Sequence, residues 1–482
     1  MTRRLSIRSK LMVLLILSGI SGALTISVLS YVHAEQALRE ATWNQLVATR
    51  ETKRGCLLRW VDQQFRAFRV FSGEEQLPAA YDAFRTGFDA KGAQLKPADE
   101  QRLVGYYETQ FLPNLPARID ERGLDDYLPT SRAGAQLQLD YIVDNPQPAG
   151  KKSLLETRSP SLFAQSGIDT YDEAHRRYHA FFVRLMTEMN LYDLFLIDAR
   201  NGDILYTVSK EADFGTNLDT GPYKRSNLAE AYRKARDGRT GDEGVVLVDF
   251  DHYRASFGAP AAFLAAPVLR NGQVVAVVAG QISIEAVNDA MTSGGHWRDE
   301  GLGDTGEVYL VGPDRTARTD SRFLIEDRDA YLDSLRTIGV EADIVAAIAE
   351  SGHSIISQEL DTTAVDRALS GQSGTAMIDD YRGVAVMSAY APFQIGEMRW
   401  GILAEKDVAE ALGPLYDLRT YVLAATATVA VVLTLFALWA ARVFLGPIAR
   451  LQHGVERLKE GDVDFQIEAA GADEFEIGRA HV

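Results

Sequence analysis

"YDLFLIDARNGDILYTV", Tyr192 to Val208, is an apolar run rich in β-formers, a polar turn at Asn201-Gly202-Asp203, and a second apolar run. That is the pattern of a β-hairpin. Three more apolar runs follow closely: "GVVLVDF" (Gly244 to Phe250), "AAFLAAPVL" (Ala261 to Leu269) and "QVVAVVAGQISI" (Gln273 to Ile284). Asn271-Gly272 supplies a hairpin turn between the last two, and "EAVNDAM" after them predicts a helix. Strands joined by tight turns build an antiparallel sheet, not βαβ crossovers.

The same plan recurs downstream. "GEVYLVGPDRTARTDS" (Gly306 to Ser321) again predicts strand, turn, strand. "GVAVMSAYAPF" and "RWGILAEKDV" predict two further strands, and "AEALGPLY" a helix. Laying "FLAAPV…VVAGQISIEAV" beside "SAYAPF…ILAEKDVAEAL" pairs Pro267 with Pro392, Gln281 with Glu405, and Ser283 with Asp407. The region therefore reads as two tandem copies of one sheet module, joined near "SGGHWRDEGLGDTG" (Ser293 to Gly306).

Ahead of the sheets the period is helical. In "GCLLRWVDQQFRAFRVF", Leu58, Val61, Phe65 and Phe68 recur as an apolar seam. Pro78 and the stretch from Gly87 to Pro97 interrupt it; helix resumes near Ala98 and again through "TYDEAHRRYHAFFVRLMTEM", with a turn at "QPAGKKS".

Two uncharged runs stand apart: "LMVLLILSGISGALTISVLSYV" (Leu11 to Val32) and "YVLAATATVAVVLTLFALWAA" (Tyr421 to Ala441). Each matches the roughly 20 residues that cross a bilayer as a helix. The first is too long for a signal-peptide core and lacks a small-residue exit. Arg3, Arg4, Arg8 and Lys10 precede the first run, and Arg442, Arg450, Arg457 and Lys459 follow the second. The positive-inside rule then puts both termini in the cytoplasm and residues 33–420 outside. The net charge of −17 falls largely on that external region, which argues against nucleic acid as a partner. The single cysteine, Cys56, cannot form an intramolecular disulfide and is expected as a buried helical residue.

No catalytic constellation is present: neither a P-loop nor a G-x-S-x-G elbow occurs. His175 and His179 have metal-ligand spacing on a predicted helix but no third ligand, so a structural pair is expected. "DARNGD" lacks the acidic spacing of a calcium loop and reads as a turn. No catalytic residue, metal or cofactor is expected, and the chain reads as a non-enzyme.

"LQLDYIVDNPQPAGKKSLL", "YDLFLIDARNGDILYTVSKEADFGTNL", "APAAFLAAPV", "GLGDTGEVYLVGPDRTARTDSRF" and "DDYRGVAVMSAYAPF" together resemble the double-Cache sensors of bacterial membranes. The resemblance implies an α+β fold: two transmembrane helices flank an external region with a long helical N-terminal part and two tandem PAS-like antiparallel-sheet modules. "FLGPIARLQHGVERLKEGDVDFQI" (Phe444 to Ile467) resembles a HAMP domain, with Pro447 after the membrane helix and Gly461-Asp462 opening the connector. Independently of that name, Ile448, Leu451, Val455 and Leu458 form one helical seam, which a parallel homodimer would bury.

The expected organisation is a basic cytoplasmic segment (1–10), a transmembrane helix (11–32), an external long-helix region (33–190), a membrane-distal module (191–292), a membrane-proximal module (293–420), a second transmembrane helix (421–445) and a partial HAMP domain (446–475). The final residues, Glu476 to Val482, resemble translated sequencing adapter and are expected to be non-native, with an output domain lost beyond them. Chemotaxis-type signalling is the expected output; a nucleotide cyclase or histidine kinase is the alternative, and a non-signalling membrane-anchored binding protein is the reading of another class.

In Cache sensors small molecules bind in the membrane-distal module. By position that implicates Tyr223, Asp249, Tyr253, Arg254, Ser256 and Phe263, a set suited to a small polar ligand. Amino-acid-binding members carry an Arg-x-Trp-Tyr signature, which "YRASF" does not reproduce. Arg318, Asp320, Arg322, Asp380 and Arg382 in the second module are expected to hold loops through charge-assisted bonds.

Overall fold

The computed structural model describes residues 7–116, 119–148, 150–155, 169–239 and 244–459. The chain divides into two units, one of residues 43–407 and one of residues 1–42 with 408–482.

In the larger unit, β1 (Leu191–Asp198), β2 (Ile204–Thr207), β3 (Val246–Tyr253), β4 (Ala259–Arg270) and β5 (Gln273–Ile282) form a five-stranded antiparallel sheet of order β2-β1-β5-β4-β3. The opening hairpin closes as its residues dictate: Gly202 sits at φ +79°, and a Cβ there would meet Asp219 at 3.0 Å. A second sheet has order β6-β9-β8-β7, from β6 (Glu307–Val311), β7 (Gly374–Asp379), β8 (Ala385–Ile395) and β9 (Met398–Asp407). Its strands correspond one to one with β1, β3, β4 and β5 of the first, in the same spatial order. The expected second strand after β6 reduces to isolated bridges at Ala317 and Thr316.

Helices cover both sheets. The first is α1 (Ile7–Ser72), followed by α2 (Gln76–Lys91), α3 (Pro97–Tyr106), α4 (Arg132–Gln138) and α5 (Thr170–Glu188). Next come α6 (Asn227–Arg236), α7 (Ile284–Thr292), α8 (Arg322–Glu326), α9 (Arg328–Thr337), α10 (Ala342–Ser351) and α11 (Thr363–Leu369). Leu228, Ala231 and Tyr232 of α6 fill the core of the first sheet's inner face. Ala364, Val365 and Ala368 of α11 do the same for the second. The segment between α6 and its sheet and the helices α8 to α10 had no clear signal in the sequence.

The seam on α1 is rotated by one residue from expectation. Val61 and Phe68 are buried, but Leu57, Gln64 and Phe71 share the buried line while Leu58 and Phe65 flank it. Phe68 packs where the sheet offers no side chain: a Cβ on Gly280 would lie 2.9 Å from its ring. Cys56, on the same helix, is half-buried rather than buried, with its Sγ 3.2 Å from the Arg59 guanidinium. The helical layer has an ionic tie of its own. Lys91, fully buried on α2, bonds Asp140 and reaches Asp169 at 2.6 Å, joining α2 to the segment that follows α4 and to the residue that opens α5.

The smaller unit contains the start of α1, α12 (Val408–Ala411) and α13 (Gly413–Lys459). Both long helices contain windows long and apolar enough to cross a membrane. They meet: Gly19 leaves room for Leu433, and Ser27 Oγ lies 2.9 Å from Thr426 Oγ1. Small residues and hydroxyl pairs are how apolar helices approach closely in lipid. The helix α13 continues past Pro447 through Ile448, Leu451, Val455 and Leu458, and Val455 is exposed. Gly461, Asp462 and residues 476–482 lie outside the described residues.

Candidate ligand-binding site

The inner face of the first sheet is apolar except along one row. Asp193 on β1, Gln281 on β5 and Phe263 on β4 are cross-strand neighbours, and all face the core. Asp193 is fully buried and its Oδ1 accepts from the backbone N–H groups of Leu194, Val208 and Ser209 at 2.6 to 2.9 Å. The loop leaving β2 brings two more acids, Glu211 and Asp213, beside it. Glu211 accepts from the Tyr192 hydroxyl at 2.6 Å and from Ser256 Oγ at 2.5 Å. Asp213 accepts from the Tyr253 hydroxyl.

Tyr253 reaches that position because β3 is irregular. Its register against β4 slips by one residue between Val248 and Asp251, so Val246, Val248 and Tyr253 all face inward despite their unequal spacing. Beyond β3, Phe257 turns the chain at φ +55°, a left-handed geometry rarely held by an aromatic residue. Phe111 packs on Phe257 at 5.1 Å and on Tyr127 at 5.0 Å. Residues 103–116 and 119–127 thus fold over the sheet as a lid of Tyr107, Phe111 and Tyr127, part of the first core and not of a separate helical layer.

Four buried acceptors in this enclosure lack a formed hydrogen bond: Asp193 Oδ2, Asp213 Oδ1, Gln281 Oε1 and the Tyr223 oxygen. Such atoms cost free energy unless something fills them. Burial, reinforced by the neighbouring acids, holds the Asp193 carboxyl well above the ordinary range. Burial pushes Asp213 up to about 6, and burial with the charge of Asp213 pushes Glu211 up to about 7. Of the two ammonium groups nearby, Lys152 donates to the Asn145 carbonyl at 2.7 Å, and Lys210 is spent on the Thr207 carbonyl at 2.9 Å and packs on Tyr206 at 4.7 Å; burial lowers the pKa of Lys210 to about 7. The enclosure has acceptors in excess and favours a ligand that brings N–H donors and positive charge.

Outside it lies a cleft of about 770 Å³, bordered by Tyr223, Arg254, His252, Asp251, Asp125 and Asp126. Arg254 stands between cleft and interior. Its guanidinium lies 5.8 Å from the Tyr127 ring and 5.6 Å from the Tyr223 ring, and it donates to the Pro222 carbonyl at 2.6 Å.

Of the six residues read from the sequence, Tyr223, Tyr253, Ser256 and Phe263 line the interior and Arg254 its mouth. Asp249 does not belong with them. It points away, accepting from Arg318 Nε at 2.9 Å, Arg318 Nη2 at 3.0 Å and Trp400 Nε1 at 3.0 Å, and so ties the first module to the second. The same slip in β3 that turns Tyr253 inward separates it from Asp249. The acids Asp193, Glu211 and Asp213 and the amide of Gln281 were missed, although the Asp193 carboxylate inside the apolar run of β1 was a usable signal.

Among the described residues no cluster of metal-ligating side chains occurs. His175 and His179 stack at 4.3 Å inside the helical layer. His179 is held by Tyr206 and the Ser153 carbonyl, and burial lowers its pKa to about 3. In the second module Arg382 pairs with Asp380 and Asp407, Arg322 donates to the Gly303 and Gly306 carbonyls, and Asp320 bonds His353 and Ser354. Each closes a loop.

No protein-family model matches this chain, and no curated protein matches it. Similar solved structures include the ligand-binding domain of the Pseudomonas fluorescens chemoreceptor CtaA in complex with L-alanine, at 16% identity, covering 46% of this chain and 75% of that one, with a TM-score of 0.28. The ligand-binding domain of the Pseudomonas aeruginosa PAO1 amino acid chemoreceptor PctC in complex with GABA matches at 16% identity, over 51% of this chain and 86% of that one, TM-score 0.29. An extracellular ligand-binding receptor from Desulfohalobium retbaense matches at 13% identity, over 56% and 38%, TM-score 0.29. Likeness at these levels carries no argument about what this chain binds.

Proposed function

We propose that this chain is the sensory and membrane-spanning part of a signalling receptor. Two apolar helices anchor it, the large unit projects outside, and the first module captures a small molecule bearing a protonated amine or a similar N–H-rich cation. The observation that carries the reading is the set of buried, unpaired acceptors, Asp193 Oδ2, Asp213 Oδ1, Gln281 Oε1 and the Tyr223 oxygen, beneath an open cleft. A cation there replaces the protons that the buried carboxyls otherwise keep. Capture changes the pose of two subunits in a homodimer. The second span then passes the change through a HAMP relay to a chemotaxis-type output; a cyclase or histidine kinase is the alternative output. No bond is made or broken in the chain itself, and signalling requires only that the ligand bind two states with different affinity.

The test is a thermal-shift screen of the full chain in detergent micelles against small amines, amino acids and carboxylates. A hit at 100 times its Kd stabilises by about 2.7 kcal/mol. Amine-bearing compounds are expected to raise Tm, and Asp213→Asn, which keeps an acceptor for Tyr253 but removes the charge, is expected to weaken them at least tenfold. Stabilisation by carboxylates alone, or hits indifferent to Asp213→Asn, refutes the assignment.

A further inference from the structure

The polar row of the first sheet has a counterpart in the second. There the cross-strand neighbours are Glu307 on β6, Glu405 on β9 and Ser388 on β8, in the places of Asp193, Gln281 and Phe263. They share a face with Tyr309, Leu403 and Tyr390 in the second core.

Glu307 is satisfied: it accepts from the Tyr381 hydroxyl at 2.6 Å and the Arg322 backbone N–H at 3.1 Å. Glu405 is not. It is 2% exposed, and both its oxygens, the Tyr309 hydroxyl and Ser388 Oγ are buried without a formed hydrogen bond. Ser388 and Tyr309 stand near enough to draw its pKa down, yet burial with the charges of Asp380 and Glu307 still leaves it at about 8. Arg382 is engaged by Asp380 and Asp407, and Arg322 by carbonyls, so neither guanidinium neutralises it. On the far side of Tyr309 from Glu405, against Glu307, Tyr331, Leu360 and Tyr381, lies a small cavity of about 10 Å³ that borders neither Glu405 nor Ser388. That is close to the smallest space that holds one water.

We infer that the second module carries its own buried ligand site, built on Glu405, Tyr309 and Ser388, which takes an ammonium ion or the –NH₃⁺ head of a short primary amine. Ammonium has nearly the size of water and presents tetrahedral N–H donors, which suit a buried carboxylate with two hydroxyls beside it and no cation of its own. The surrounding phenol rings stabilise a desolvated cation. Glu405 holds a proton in the empty site; the cation displaces it to solvent.

The experiment titrates the full chain in nanodiscs, at constant ionic strength, with ammonium, methylammonium, potassium or tetramethylammonium chloride, reading Tm and tyrosine fluorescence. Wild type is expected to respond saturably to ammonium or methylammonium and not to potassium or tetramethylammonium. A tighter response to methylammonium assigns the amine head, and a tighter response to ammonium assigns the free ion. Glu405→Gln and, should that variant fold poorly, Tyr309→Phe are expected to weaken the response at least tenfold. In an Asp213→Asn background, where the first site is weakened, a saturable ammonium or methylammonium response is expected to remain and to be lost on adding Glu405→Gln, which separates this site from the one proposed above. No saturable ammonium-type response, an equal response to potassium, or a response lost in Asp213→Asn but kept in Tyr309→Phe overturns the inference.

Discussion

Asp249→Ala is expected to uncouple the two sheet modules. Asp249 accepts three hydrogen bonds from the second module, two from Arg318 and one from Trp400, at 2.9 to 3.0 Å. The Arg318 side chain is 2% exposed and that of Asp249 24%. Removing one partner of a buried pair costs about 3–5 kcal/mol, most of it from the charge left behind. Here Arg318 keeps Asp314 at 3.0 Å and Thr316 Oγ1 at 2.6 Å, and Asp249 is partly wet, which reduces the expected cost to about 2–3 kcal/mol. At one decade per 1.4 kcal/mol, that is a rise of roughly 30- to 140-fold in local opening. Hydrogen exchange of the full chain in micelles reads it directly, in β3 and in residues 312–319. Asp249→Leu combined with Arg318→Met removes both charges and is expected to recover most of the protection. Exchange within threefold of wild type in both segments, or a double variant no better than the single one, refutes the coupling.

Three further outcomes are expected. Burial raises Glu405 to about 8 from an ordinary 4.5, so the folded chain binds a proton that the unfolded chain releases; that contribution is complete below about pH 4.5 and is lost as pH rises through 8. Lys210 and His179 titrate with the opposite sign, so the effect is read as the difference between Glu405→Gln and wild type: the variant should gain up to roughly 1.4 kcal/mol per pH unit between pH 5 and 8 in denaturant midpoints, and parallel profiles would contradict it. Gly280→Ala forces a methyl to within 2.8 Å of Leu191 Cδ1 and 2.9 Å of the Phe68 ring and should destabilise by about 1–3 kcal/mol in the same assay; an unchanged midpoint would mean that α1 does not lie against β5. Ser27→Cys with Thr426→Cys, in a Cys56→Ser background, should form a disulfide within one chain under mild oxidation, since the native hydroxyls are 2.9 Å apart; a product found only between chains would refute the pairing of the two apolar helices.

The tandem plan was legible because hairpins announce themselves locally. "ARNGD" and "RNGQ" each place a glycine where the turn needs positive φ, and the Gln281–Glu405 pairing identifies residues that do occupy the same sheet position. What the sequence concealed is long-range. "GTAMID", too short and too alternating to stand out, is the edge strand β7. Asp249 and Tyr253 lie on one strand, and simple alternation cannot show that an extra residue sends them to opposite sides. The acids Glu211 and Asp213 look like ordinary loop residues until Tyr192, Ser256 and Tyr253 are folded over them.

That slip in β3 gives the strand two jobs. Its last residue, Tyr253, holds the Asp213 carboxyl inside the candidate site, and Asp249, four positions earlier, holds Arg318 and Trp400 of the second module. A ligand that takes the proton or the position of Asp213 pulls on the Tyr253 hydroxyl. The bulge is the part of the strand least constrained by ladder hydrogen bonds and so the part that yields. Any shift there reaches the Asp249 carboxylate before it reaches the better-paired strands β4 and β5. Trp400 sits on β9, the strand that also carries Glu405 and ends at Asp407, next to the segment that leads into α13. One strand thus carries both the clamp and the second acid site, and in the chain α12 follows it directly. If a signal travels by this route, Asp249→Leu with Arg318→Met should keep the affinity for a first-site ligand while abolishing its effect on exchange in β9, whereas an effect that survives the double variant would place the path elsewhere.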